Sequence, residues 1–198
     1  FVDPGRHAIT TAYYGEQSGI GMELSRLSAG PRKIGAVGLG IGVIAGYLRP
    51  GDRLRFYEIN PLVVEMARKY FWYLNESQGT VEVAVGDARL LLDREEPQGY
   101  DVMVVDAFSG DAIPVHLLTR EAFDLYFRHL KPDGIIVMHI SNKYLNLEPV
   151  LGRVTTAMGK VAWVLEADDT EDETCYGTTY VLVANSPETF LEGAFQGG

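Results

Sequence analysis

The chain has 198 residues and one cysteine, Cys175, so neither an internal disulfide nor a thiolate metal cluster can form. That scarcity points to a reducing compartment, the cytoplasm. Four histidines, His7, His116, His129 and His139, stand at no metal-ligand spacing from one another, and no metal is expected. Positive charge is scarce as well: 17 Lys and Arg face 27 Asp and Glu, a net charge of −10. Such a surface repels nucleic acid and anionic membrane and attracts cations, although acidity alone is more simply a means of staying in solution. The longest apolar run, Ile34 to Leu48, is broken by glycines and falls short of the ~20 residues that span a bilayer. It also lies too deep for a signal peptide. No G-x-x-x-x-G-K-[ST] and no G-x-S-x-G occurs, which argues against an ATP-type phosphate loop and a serine-hydrolase elbow. Because the chain opens Phe1-Val2 without methionine, it is expected to be an excerpt of a longer protein.

What is present centres on Lys33 to Asn60. An apolar run, Ile34-Gly35-Ala36-Val37, leads into the turn Gly38-Leu39-Gly40-Ile41-Gly42, then an apolar helical stretch, then a second strand ending Phe56-Tyr57-Glu58. Glycines lack a Cβ, so the backbone turns sharply and a ligand can approach it closely. Glu58 follows Gly38 by twenty residues, the spacing at which a carboxylate receives ribose hydroxyls in a βαβ nucleotide site. A dinucleotide fingerprint would place its third glycine at Val43. The pattern G-x-G-x-G fits an adenosyl-sulfonium donor better than NAD.

Taken in order, residues 1–30 are least regular and are expected to be the remnant of an N-terminal segment packed on the core. Thr10 to Gly15 suggests a short strand and Ile20 to Leu27 a helix. Residues 31–198 read as one Rossmann-like nucleoside-binding domain. Strands are predicted over Lys33–Gly38, Arg53–Glu58, Val81–Val85, Tyr100–Val105, Ile135–Ile140, Val161–Glu166 and Thr178–Ala184. Helices are predicted over Ile41–Leu48, from Asn60-Pro61 with Val64, Ala67, Phe71 and Leu74 inward, from Thr119 to Leu130, and from Leu147 to Met158. Lys131-Pro132-Asp133-Gly134 reads as a turn before the fifth strand. Alternating strands and helices imply an α/β, doubly wound, mostly parallel sheet. The last two strands have no helix between them and imply an antiparallel hairpin.

Ligands of open α/β sheets bind beyond the carboxyl ends of the strands. Those ends carry the glycine turn, Glu58, Asp87 and Asp106 in succession. Asp87 suits the adenine amino group, with the Ala88 amide donating to the ring. Asp106 lies deepest, where a carboxylate orients and deprotonates an attacking amine. Asp111 either shares that work or caps the turn before Pro114; the two readings stand equal. Tyr13 and Tyr14 line a site or pack, packing being the simpler reading. His139 is read as a supporting polar residue beside the crevice rather than as a base. Asp168 to Glu173 is most simply a solvated loop, and Tyr176 after it can close over the acceptor.

Tyr57-Glu58-Ile59-Asn60-Pro61, Gly86-Asp87-Ala88-Arg89 and Tyr100-Asp101-Val102-Met103-Val104-Val105-Asp106 resemble the spermidine synthase (polyamine aminopropyltransferase) family. Asp106 to Pro114 and His139-Ile140-Ser141-Asn142 are closer to spermidine-synthase-like domains fused to membrane transporters. The resemblance implies a seven-stranded sheet of the S-adenosylmethionine-dependent methyltransferase type. It also implies decarboxylated S-adenosylmethionine as aminopropyl donor, Asp106 as catalytic acid/base, Tyr14 as active-site tyrosine, and methylthioadenosine as product. The expected partner is a small cationic amine such as putrescine, with a homodimer and a membrane domain in the full-length protein as further expectations.

Three departures stand out. Ile41 occupies the place of the family's Asp that holds the donor's aminopropyl ammonium. The family's D-S-S-D-P becomes Asp106-Ala107-Phe108-Ser109-Gly110-Asp111. Little of the N-terminal hairpin domain precedes Thr10. Ile41 makes methyl transfer from intact S-adenosylmethionine the rival reading, and a non-catalytic nucleoside-sensing domain is the third.

Overall fold

A computed structural model describes residues 10, 13–27, 30–108, 113–142, 145–168 and 176–191. Seven strands make one sheet: β1 (Lys33–Val37), β2 (Arg53–Glu58), β3 (Thr80–Val85), β4 (Tyr100–Val105), β5 (Leu130–His139), β6 (Val161–Ala167) and β7 (Thr178–Ala184). Their order is β3-β2-β1-β4-β5-β7-β6. The first five are parallel, while β7 runs antiparallel to both β5 and β6. The doubly wound sheet and its terminal hairpin are therefore as the sequence implies. The chain reverses its direction of winding between β1 and β4, and that switch point is where a ligand cleft is expected.

Among the described residues six α-helices flank the sheet: α1 (Gly19–Arg26), α2 (Pro61–Tyr70), α3 (Ala88–Arg94), α4 (Arg120–His129), α5 (Glu148–Ala157) and α6 (Glu188–Leu191). Alternation along each strand splits the core. Ile34, Ala36, Phe56, Val102 and Val104 meet α1 and α2 on one face, through Ile20, Leu24, Val64 and Ala67. Val37, Tyr57, Met103 and Val105 meet Ala88, Leu92, Phe123, Tyr126 and Leu151 of α3, α4 and α5 on the other. Both faces of β1 and β4 are dry, which is why these strands read as unbroken apolar runs. Helix starts obey capping chemistry: Asn60 accepts from the Leu62 N–H at 3.0 Å ahead of Pro61, and Thr119 accepts from the Ala122 N–H at 3.4 Å.

Three local expectations are corrected. Ile41–Leu48 is not an α-helix but a 3₁₀ segment, Val43–Tyr47, because Gly42 before it is left-handed (φ +87°) and holds the chain in the turn. The α2 helix ends at Tyr70; Phe71 is extended and, with Leu74, packs on the core from outside the helix. Lys131 to Gly134 does not stand outside the sheet: β5 begins at Leu130, and the pairing with β4 slips between Tyr100 and Val102 to absorb those residues as a bulge. Tyr13 to Gln17 form the turn in which the expected Thr10–Gly15 strand ends, while Thr11 and Ala12 lie outside the described residues. The sequence reading also passed over α3, whose seven residues show too short a period.

Beneath the switch point lies a buried ion pair. Asp52 accepts from the Arg32 side chain Nε (2.9 Å) and from the backbone N–H groups of Arg32 and Arg49 (both 2.8 Å). Burial works to raise the Asp52 carboxyl, but these bonds outweigh it and hold the group below the usual aspartate range. Arg32 also donates to the carbonyls of Leu24 and Tyr47, so one guanidinium ties α1 and the 3₁₀ segment to the start of β1.

Candidate active site

At the carboxyl ends of the parallel strands lies a cleft of about 1200 Å³, lined at one end by Gly38, Leu39, Gly40, Glu58, Asp87 and Ala88, and at the other by Tyr13, Tyr14, Asp106, Phe108 and His139. The glycine turn is forced by geometry rather than by composition alone. At Gly38, φ is +95°, and a Cβ would stand 2.2 Å from the Asp106 carbonyl oxygen. The ends of β1 and β4 approach this closely because Asp106 N donates to Val37 O and Gly38 N to Tyr57 O, each at 2.9 Å. Gly40 (φ +54°) opens onto the cleft. Gly42 is not among the lining residues; a Cβ there would strike Leu74 at 2.8 Å, so it serves packing and turn shape.

Glu58 is nearly buried, and both its oxygens accept main-chain hydrogen bonds: Oε2 from Leu39 (3.0 Å), Oε1 from Asn60 (2.8 Å). Each oxygen keeps a second lone pair for a hydroxyl. The carboxylate thus shapes the glycine turn and remains available to a ligand. Asp87 is the N-cap of α3, Oδ1 accepting from Leu90 N at 3.1 Å, while Oδ2 lies 3.7 Å from His116 Nε2. Ala88 opens α3, where first-turn N–H groups have no helical partner.

At the other end Asp106 and His139 leave adjacent parallel strands side by side. Both side chains are 5% exposed, and Nδ1 of His139 lies 2.9 Å from Asp106 Oδ1. The Tyr14 hydroxyl donates to Asp106 Oδ2. Burial, and then the adjacent Asp106 charge, push the Tyr14 hydroxyl well above its ordinary range, so it stays a proton donor. Burial and Asp106 act on Tyr180 in the same direction. Here, then, a carboxyl group held by two side chains is buried at one end of the cleft, beside the rings of Tyr13, Phe108 and His139.

The structure gathers Tyr14, Asp106, Gly38, Gly40, Glu58, Asp87 and Ala88 around one cleft, with Gly42 just behind it. Asp111 and Asp169 to Glu173 lie outside the described residues. Tyr13 lines the cleft rather than only packing, its ring 5.5 Å from those of His139 and Tyr176. Ile41 stands 39% exposed at the turn and is not among the lining residues. Sequence reasoning gave no role to His116, which lies in a three-residue 3₁₀ turn, Val115–Leu117, too short to show a period. It set His139 beside the crevice without its partner; applying the strand-end rule to β5 as to β1–β4 would have paired it with Asp106.

Residues 26–168 match the family model of the spermine/spermidine synthase domain. A polyamine aminopropyltransferase of Vibrio vulnificus (strain CMCP6) is 37% identical over 112 residues, 54% of this chain and 37% of that protein. A putrescine N-methyltransferase 2 of Nicotiana attenuata is 27% identical over 122 residues, 59% of this chain and 33% of that protein. The chain thus spans about a third of the length of these relatives. The crystal structure of a probable spermidine synthase from Corynebacterium glutamicum ATCC 13032 superposes with a TM-score of 0.63 at 22% identity, covering 88% of this chain and 69% of that one, a likeness of fold.

Proposed function

Since the chain belongs to the spermine/spermidine synthase family, we propose that it transfers an aminopropyl group from decarboxylated S-adenosylmethionine to a small cationic amine such as putrescine. The observation that carries this reading is Asp106, a buried carboxylate fixed by Tyr14 and His139 at the opposite end of the cleft from Glu58 and Asp87. Glu58 receives the ribose hydroxyls, Asp87 the adenine amino group, and the Ala88 N–H the ring. The glycine turn lets the nucleoside lie against the backbone.

Transfer moves one positive charge from sulfur to nitrogen: the amine lone pair forms the new C–N bond, and the C–S bond breaks with its electrons left on sulfur. The nitrogen must be unprotonated to attack, so the bound ammonium gives up one proton before or as the C–N bond forms, and the product carries the charge as a secondary ammonium. Asp106 attracts the ammonium, orients the nitrogen and takes the proton, as a positioned general base does. Asp111 is proposed as a second carboxylate for the amine, and Tyr14 as a residue that aims Asp106. We further infer that residues 31–198 form the catalytic domain, with 1–30 a remnant packed on it, and that the protein works in the cytoplasm without a metal. No helix among the described residues is long and apolar enough to cross a membrane.

Methyl transfer from intact S-adenosylmethionine is the second reading, favoured by Ile41 where an acid would hold the donor's ammonium. Calorimetry with both donors and with methylthioadenosine tests the choice. Tight binding of the decarboxylated donor is expected; binding of intact S-adenosylmethionine alone would end the aminopropyl reading.

A further inference from the structure

We propose that His139 is the positioning residue of this site: it donates from Nδ1 to the Asp106 carboxylate and aims it at a cationic amine. The inference rests on the amine-transfer reading above and adds a residue to it.

The sheet itself makes the pair. In the β4–β5 register Val105 lies opposite Met138, so the next residues, Asp106 just past β4 and His139 at the last position of β5, stand side by side. A carboxylate only accepts hydrogen bonds, so the proton in the 2.9 Å contact belongs to Nδ1. Nε2 is buried and has no hydrogen-bond partner among the described residues. The ring has little freedom to turn. It stacks on Tyr180 (centroids 4.6 Å apart, planes at 19°), meets the edge of Phe108 at 5.0 Å, and lies 5.5 Å from Tyr13.

Around this ring the described elements place Asp106 after β4, Tyr13 and Tyr14 from the N-terminal turn, and Tyr180 from β7. Tyr14 and Tyr180 are held protonated by burial. His139 and Tyr14 each hold one oxygen of Asp106, so the carboxylate cannot rotate without losing one of them.

Three measurements on the whole chain test the proposal. Nitrogen-resolved NMR at pH 8 should show His139 with its proton on Nδ1, and Asp106→Ala should release that tautomer; a proton on Nε2 instead overturns the assignment. His139→Phe keeps the ring contacts and removes the donor; it should lower kcat/KM for the amine about 10- to 100-fold, the worth of one hydrogen bond to a charged group. His139→Asn, whose amide nitrogen stands where Nδ1 does, should recover most of that loss. Calorimetry at pH 8 should show methylthioadenosine affinity unmoved in both variants, and putrescine affinity for the methylthioadenosine-saturated protein lowered in His139→Phe alone. No recovery in His139→Asn, or nucleoside affinity falling in step with rate in His139→Phe, would show a merely structural histidine. Should no donor support transfer while the tautomer appears as expected, the aminopropyl reading fails and the His139–Asp106 pairing stands.

Discussion

The two ends of the cleft hold their carboxylates by different means. At the end proposed for the nucleoside the acids bind main chain: Glu58 takes the N–H groups of Leu39 and Asn60, and Asp87 caps α3 through Leu90. At the end proposed for the amine Asp106 is held by side chains, Tyr14 and His139, which stand 92 and 33 residues away in sequence. An acid that bonds to backbone sets the shape of its surroundings, so removing it deforms the site. An acid held by side chains, on a backbone already fixed by β1 and β4, contributes charge rather than shape. Substitution at the nucleoside end should therefore disturb geometry and affinity together, whereas substitution at the amine end should separate binding from turnover.

The largest expected effect lies at Asp106. Asp106→Asn keeps the shape and removes the charge, so methylthioadenosine affinity should stay within a few-fold while transfer to putrescine falls by roughly 10²–10⁴. An Asn variant that keeps most of its rate would refute the assigned role. Next comes Asp52, which belongs to neither end and gives a reference for general destabilisation. Asp52→Ala leaves the Arg32 guanidinium buried and unpaired, its side chain 2% exposed, at a cost of about 3–5 kcal/mol. Urea unfolding should show it, and both ends of the site should weaken in parallel as the protein melts. The depressed Asp52 carboxyl gives stability that is present above its ordinary value of 3.8 and lost as pH falls through the folded-state value, so the variant should also lose less on acidification.

At the nucleoside end Glu58→Gln sharpens the contrast. An amide cannot accept on both sides, so one of the two main-chain bonds is lost and the glycine turn loosens. Donor affinity should fall about 10- to 100-fold, by the worth of a charge-assisted bond, with turnover at saturating donor changed far less. A fall in turnover as large as that of Asp106→Asn would erase the distinction between the ends.

The smallest effect is remote from both. His129 is fully buried, its Nε2 2.8 Å from the Leu92 carbonyl, and burial lowers its pKa despite that bond. The unfolded chain therefore binds more protons below its ordinary value of 6.5, and stability should drop as pH falls from 6.5 toward the folded-state value. Urea midpoints at pH 8 and pH 5.5 should differ less in His129→Gln, with donor affinity at pH 8 unmoved.

The same contrast explains what could be read from the residues. Strand ends, the glycine turn, Glu58 and the caps at Asn60 and Thr119 depend on neighbours within one βαβ unit, and local spacing carries them. The 3₁₀ segment, the early end of α2 and the bulge at the start of β5 were not legible, because each is decided by packing against another element: Gly42 against Leu74, Phe71 against the core, Gly134 against the Tyr100 carbonyl, 2.9 Å from where a Cβ would stand.

The sequence by itself determined the alternation of strand and helix, the acids at successive strand ends and hence the cleft, since periodicity and spacing are properties of short stretches. Only the tertiary structure decided that Tyr14 and His139 would share Asp106 and that Gly38 would press against its carbonyl. Those contacts exist because a parallel sheet sets β1, β4 and β5 side by side, and no distance along the chain encodes which strand ends become neighbours.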